Sequence, residues 1–238
     1  MDAIDAYWAE GFPNIEGWVS GGHLQPLKLV DRIQRAAGIS GHAAEIGVFH
    51  GKFLLALASL LDPGGRVTAL DVFDDQSKNL DGAGEGNLEI LQRNVAAHGR
   101  KDADYAYIKA DSSALTLLDK VDLTRSRGPF RLFSVDGCHT TEHTLCDLQT
   151  AQQCIAPGGV VILDDYMQPH WPGVTEAVSL FCRDAPRLVP FLYNQHKLFF
   201  VGVGWHAHFF TACAQAYADD PDARTPPMFG RNVLTLYS

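Results

Sequence analysis

The sequence predicts an α/β fold: a doubly wound sheet of seven strands, mostly parallel, with an antiparallel last strand. Three observations lead there. Short apolar runs alternate regularly with amphipathic stretches, the pattern of strands joined by crossover helices. Two of the runs, Arg131 to Val135 and Val160 to Leu163, stop on acid, at Asp136 and at the Asp164-Asp165 pair. Lastly, only Asn194, Gln195 and His196 separate the runs Arg187 to Tyr193 and Lys197 to Val203. A connection that short makes an antiparallel hairpin and no parallel crossover.

Taken in order, residues 25–37 read as an amphipathic helix with Leu27, Val30, Ile33 and Ala37 on one face. His42 to Gly47 follows as a strand, Lys52 to Leu61 as a helix, Arg66 to Asp71 as a strand and Glu85 to His98 as a helix. Tyr105 to Ala110 makes the third strand and a short helix leads on to Arg131. The run Arg131-Leu132-Phe133-Ser134-Val135 is too apolar for a half-exposed strand and too short for a helix, so both its faces are buried. Leu145, Leu148, Ala151 and Ile155 recur at helical spacing until Pro157-Gly158-Gly159 stops them. Val174 to Phe181 is the last helix before the hairpin, and the Pro-bearing tail from Asp219 is expected to wrap the surface.

The length of 238 residues and the 46% hydrophobic content provide for one full core, so residues 1–238 read as a single domain. Within it, 1–40 form a helical and lid segment, 41–205 the core, and 206–238 a helix and tail. A formal net charge of −9 and no basic cluster argue against a nucleic-acid partner. The acidic start Met1-Asp2-Ala3-Ile4-Asp5 lacks signal-peptide character, and no apolar run approaches the roughly 18 residues of a membrane span. A cytoplasmic location without membrane contact is expected. Five scattered cysteines, with no CxxC pair, read as reduced thiols.

In parallel sheets ligands bind beyond the carboxyl ends of the strands, where Asp136, Asp164 and Asp165 would lie. Three crowded carboxylates repel unless neutralised, and hard divalent cations prefer oxygen, so a Mg²⁺-like site is expected. The competing reading has each acid capping a helix or facing water. Upstream, Glu45-Ile46-Gly47-Val48-Phe49-His50-Gly51 is a strand-to-helix turn with glycines that permit close backbone approach, and Asp71 ends the next strand where it can accept from a ribose diol. Phe49 stands where a dinucleotide fingerprint has its middle glycine, which favours a nucleoside without phosphates. Asp111 and Ser112 read either as acceptors for an adenine amine or as a helix cap. Phe73 reads either as a ring against the base or as core.

These motifs, EIGVFHG, ALDVF, KADSS, SVDGCH and PGGVVILDDY with a terminal antiparallel strand, resemble the class I S-adenosylmethionine-dependent methyltransferases over residues 40–205. Within that Rossmann-like family the chain looks most like the metal-dependent O-methyltransferases, the catechol, caffeoyl-CoA and macrocin types. The resemblance implies that Glu45, Gly47 and Gly51 hold the methionine part of the cofactor, Asp71 the ribose, and Asp111 with Ser112 the adenine. It also implies a divalent metal on Asp136, Asp164 and Asp165, with Asp136 bordering the cofactor as well, and a catalytic base at His139. A histidine there matches the macrocin-like pattern, which favours a sugar or glycosylated natural product over a catechol. The chain departs from the catechol pattern at Asp165, where Asn is common.

An unassisted alcohol is a poor nucleophile; a dication lowers the pKa of the attacking hydroxyl, and imidazole titrates near working pH. The loop Tyr166 to Gly173 is expected to border the acceptor, with Tyr166 and Trp171 as contacts, the latter stacking on a ring or merely anchoring the loop. Gly17 to His23 is a candidate lid. His139-Thr140-Thr141-Glu142-His143 also spells HxxEH, but that zinc-peptidase motif needs both histidines inside one helix. A non-catalytic S-adenosylmethionine-binding module and a nicotinamide-dependent oxidoreductase are the rival functions, the second disfavoured by the glycine spacing. The expected partner is a small hydroxylated acceptor, and self-association into a homo-oligomer stays open.

Overall fold

The computed structural model describes residues 2–183 and 187–236; the ends of the expected domain and tail at Met1, Tyr237 and Ser238 lie outside them. Five strands, β1 (His42–Ile46), β2 (Arg66–Asp71), β3 (Asp104–Lys109), β4 (Phe130–Val135) and β5 (Ile155–Leu163), run parallel. Next come β6 (Leu188–Asn194) and β7 (Lys197–Gly202), an antiparallel hairpin in which β7 also pairs antiparallel with β5. Among the described residues the sheet has eight strands and not seven. After a small hairpin of β8 (Pro227–Met228) and β9 (Arg231–Asn232), the tail returns as β10 (Leu234–Leu236), parallel to β6 at the sheet edge. The order is β10-β6-β7-β5-β4-β1-β2-β3.

Among the described residues eight α-helices cover the sheet: α1 (Ala3–Ala6), α2 (Leu24–Ala36), α3 (Lys52–Ser59), α4 (Leu88–His98), α5 (Leu117–Arg127), α6 (Thr141–Cys154), α7 (Pro172–Arg183) and α8 (His206–Ala216). Two cores result, one per face. The first takes Leu27, Val30 and Ile33 of α2, nearly all of α3, Leu91 of α4 and Phe209 of α8. Leu123 of α5, Leu148 and Ala151 of α6 and Val174 and Val178 of α7 fill the second. With no polar face, α3 is sandwiched as a buried helix must be. β4 is buried along its whole length, as its composition demands. Even Arg131 is buried there, because its guanidinium donates to Gln34 Oε1 at 2.6 Å and Asp31 Oδ1 at 2.7 Å on α2.

Boundaries shift where two signals compete. The helical spacing that included Ile155 ends one residue earlier, at Cys154, and Ile155 opens β5 opposite Phe130. Pro157 and Gly158 then sit in a register shift of that strand and not in a loop before it. Asn87 caps α4 through its side chain, and Thr116 with Asp119 forms a capping box on α5. All five cysteines are free thiols, and among the described residues no helix is long and apolar enough to cross a membrane.

Candidate active site

The chain leaves β1 toward β2 and β3 on one side and later returns beside β1 as β4, so the winding reverses between β1 and β4. A crevice opens at the carboxyl ends of strands at such a point. There the Asp136 amide donates to the Ile46 carbonyl at 2.9 Å, and Gly47 (φ +76°) passes so close that a Cβ on it would lie 1.8 Å from the Asp136 carbonyl oxygen. Only glycine fits. Two cavities flank this crossing: a wide one of about 540 Å³ and a narrow one of about 100 Å³. Gly47, Ala83, Gly84, Asp136 and His139 line both.

The wide cavity is floored by charge. Glu45, Asp136, Asp164, Asp165 and His139 line it, and one donor atom each from Asp136, His139 and Asp165 lie within 4.8 Å of one another. A single divalent ion reaches its ligands at roughly 2.0–2.6 Å, so that spacing fits one. Asp164 and Asp165 diverge, as neighbours at a strand end do. Asp165 adopts a left-handed conformation (φ +58°) and reaches His139 Nε2 at 2.9 Å. Asp164 instead accepts from the ammonium of Lys197, which is fully buried on β7 and lies 4.1 Å from the centre of the Phe53 ring. Asp164 therefore stands outside the trio that converges.

The pKa pattern follows from this layout. Burial, and then repulsion from Asp164, push the Asp136 carboxyl well above its usual range. Burial works the same way on Asp164, but the Lys197 ammonium overcomes it and holds that carboxyl low. Burial and Asp136 raise Glu45, whose Oε2 has no partner among the described residues although it is enclosed. That orphaned acceptor in the cavity wall fits an ammonium group. Burial opposes charge on His139, yet the Asp165, Asp136 and Asp81 carboxylates together raise its imidazole to about 9. Trp171 stacks on the same ring at 4.2 Å and 15°.

The narrow cavity lies over the ends of β2 and β3 and is lined by Asp71, Asp111 and Ser112. Asp71 accepts from the amides of Val48 (2.6 Å) and Phe49 (2.9 Å) in the glycine turn and from that of Phe73 (2.7 Å). It braces the turn from the neighbouring strand and borders the cavity with the same carboxylate. Asp111 caps the short turn that starts at Ser112, accepting through Oδ1 from the amide and hydroxyl of Ser113 at 2.9 and 2.6 Å.

Three of the expected site residues lie elsewhere. Phe73 is fully buried in the first core and lines neither cavity, which is the core alternative for it. Gly51 precedes α3 at φ +89° with Leu91 so close that a Cβ would meet it at 2.4 Å, and it too lines neither cavity. Tyr166 is buried edge-on against Tyr193, with its hydroxyl raised to about 12 by burial, while Gln168 and Trp171 of the same loop face the wide cavity. Gly17 to Ser20 and His23 do line that cavity, and exposed Trp18 leans on Phe49 at 5.0 Å. Thr140 caps α6, so His139 precedes the helix that holds His143 and the HxxEH pair is split.

Three functional residues escaped sequence reasoning. Lys197 begins an apolar run that read only as strand. His23, neutral because burial and Lys197 lower it to about 4, binds Asn194 Oδ1 at 2.8 Å. Asp81, in a glycine-rich loop, accepts from both the main chain and the ring of His139.

A family model described as a methyltransferase domain matches residues 44–166. No curated protein matches the sequence. Among solved structures the fold is similar to that of the O-methyltransferase NovP, with a TM-score of 0.59 at 15% identity over 75% of this chain and 80% of that one. It is similar also to an O-methyltransferase from Bacillus cereus in complex with SAH, with a TM-score of 0.50 at 17% identity over 84% of this chain and 89% of that one. A third likeness is to the MycE methyltransferase of the mycinamycin pathway in complex with Mg, SAH and mycinamycin VI, with a TM-score of 0.53 at 16% identity over 85% of this chain and 54% of that one. At such identities the likeness shows the fold.

Proposed function

Because this chain belongs to the methyltransferase-domain family, we propose that it moves the methyl group of S-adenosylmethionine to a hydroxyl of a small polyhydroxylated acceptor, a sugar or glycosylated natural product before a catechol. One observation carries the reading: a narrow cleft over the ends of β2 and β3 and a wide acid-floored cavity meet at Gly47, Asp136 and His139. A donor and an acceptor placed on the two sides meet where the base stands.

Asp71, Asp111 and Ser112 take the ribose and adenine edges, and the unpartnered Glu45 oxygen takes the methionine ammonium. Asp136 and Asp165 hold a divalent cation such as Mg²⁺; when bound, it lowers the pKa of the acceptor hydroxyl and fixes its direction. Lys197, tied to Asp164, balances the negative charge of that floor. With Asp136 and Asp165 turned to the cation, two of the carboxylates that raise His139 would be spent, and the imidazole, then neutral, receives the hydroxyl proton at Nε2. Trp171 fixes the plane of the imidazole by stacking and presents its edge to the acceptor.

Incubation with methyl-labelled S-adenosylmethionine, Mg²⁺ or Mn²⁺ and pools of polyhydroxylated metabolites, followed by mass spectrometry, tests the reading. Labelled product that disappears with EDTA, and on His139→Ala with SAH affinity retained, is expected. Calorimetric binding of NAD but not SAH overturns it.

A further inference from the structure

Asp81 stands in the loop between β2 and α4, in contact with a residue 58 positions away. Its Oδ2 accepts from the His139 amide at 2.7 Å and from the ring Nδ1 at 2.7 Å, and its Oδ1 accepts from the Ala83 amide at 3.0 Å. An ionised carboxylate only accepts, so the Nδ1 that meets Asp81 carries a hydrogen, while Nε2, across the ring, faces the wide cavity and the Asp165 carboxylate at 2.9 Å. Charge-assisted bonds of this length are among the stronger ones in proteins, and two of them on one oxygen fix both the backbone and the ring of the same residue. The side chain is nearly enclosed, at 9% exposure, so water competes little for it. The loop is itself braced, with Asn79 donating to the Gly84 carbonyl at 2.8 Å, and Gly84 packs beside Phe49 of the glycine turn.

We propose that Asp81 is the positioning residue of His139: it sets the tautomer and aim of the base from the wall of the nucleoside cleft. The inference rests on His139 acting as base in the proposed methyl transfer. Asp81 touches neither reacting atom; it acts through the imidazole. Because its loop borders both cavities, it also joins the donor side to the acceptor side through one carboxylate.

The test is a double-mutant cycle on the full chain with Asp81→Ala, His139→Ala and the pair. Asp81→Ala should lower kcat roughly 10- to 100-fold, as loss of an orienting carboxylate does elsewhere, with acceptor KM and the SAH dissociation constant moving less than about threefold. Added to His139→Ala, it should cost nothing further, whereas a merely structural role gives losses that multiply. Asp81→Asn, which keeps the size of the side chain, guards against misfolding and should fall as Asp81→Ala does. An unchanged kcat in Asp81→Ala, or multiplying losses, overturns the proposal. A second readout needs no turnover: ¹⁵N-edited spectra of the unliganded wild type should show a downfield, slowly exchanging Nδ1 proton, assigned by its loss in His139→Ala and absent in Asp81→Ala. Its absence in the wild type overturns the contact. Its presence in a wild type that makes no methylated product overturns the methyl-transfer reading instead.

Discussion

Two pairs of strands in one sheet end on acid, and the acids do different work. At β2 and β3, Asp71 and Asp111 turn their oxygens to backbone amides and to Ser113, and they hold loops in place beside a narrow cleft. At β4 and β5, Asp136, Asp164 and Asp165 are pressed together with Glu45, and their partners are cationic side chains: Lys197 and His139. A carboxylate saturated by amides is pinned in place and braces the loop that offers them. Carboxylates that face one another in a buried floor store repulsion, which a cation or a proton must relieve. The sequence pattern is the same in both places; the neighbours across the sheet decide the outcome.

Removing the counter-cation should have the largest effect. Lys197→Met leaves Asp164 and Glu45 buried without their positive partner, and truncating one side of such a pair typically costs about 3–5 kcal/mol. A thermal melt that moves by less than a degree or two breaks the claim that the β4 and β5 end is held by charge. Next in size, Asp136→Asn should cut methyl transfer roughly 10²- to 10³-fold, with the fold intact by circular dichroism, because a charge at the reacting centre is lost. Equal activity places the chemistry elsewhere.

A third prediction sharpens the contrast through pH. Asp147 on α6 lies behind Gly137 and is fully buried, and burial, opposed by the Ser112 hydroxyl, raises it to about 7. The unfolded carboxyl loses its proton near about pH 4, whereas the folded one keeps it to about 7, so the folded chain binds more protons in between. Stability from this group is therefore present at low pH and declines as pH rises through that window. Asp147→Asn should flatten the decline, with a melting temperature gain that grows from about pH 4 to about pH 8; a gain independent of pH sinks the assignment. The smallest effects belong to the loop-holding acids. Asp111→Ala should cost about 1 kcal/mol as a lost cap and leave turnover within a few-fold at saturating cofactor. A collapse of kcat there erases the distinction between the two strand pairs.

Much of this site was legible in the sequence because strand ends are. An apolar run that stops on acid places the acid at the rim of a parallel sheet, and that rule located Asp71, Asp111, Asp136, Asp164 and Asp165 together with Gly47. What the rule lacks is direction. Phe73 and Tyr166 follow rim acids closely, but one turn of backbone sends each ring into the core. Asp164 and Asp165 look equivalent in sequence, and only the left-handed turn at Asp165 separates them. Lys197 and Asp81 were hidden for another reason: each acts on a residue far along the chain, and no local periodicity records such a pairing. The three residues of β10 are too few to show any period among the prolines around them.

Trp18 turns one of these features into an optical signal. It stands 76% exposed at the rim of the wide cavity against Phe49, while Trp8 is stacked on Phe12 and Trp171 on His139. Indole emission shifts to the blue when water is displaced from the ring, so whatever settles over the cleft reports itself in the protein's own fluorescence. The molecule carries, at its mouth, a gauge of how much water that ring still meets.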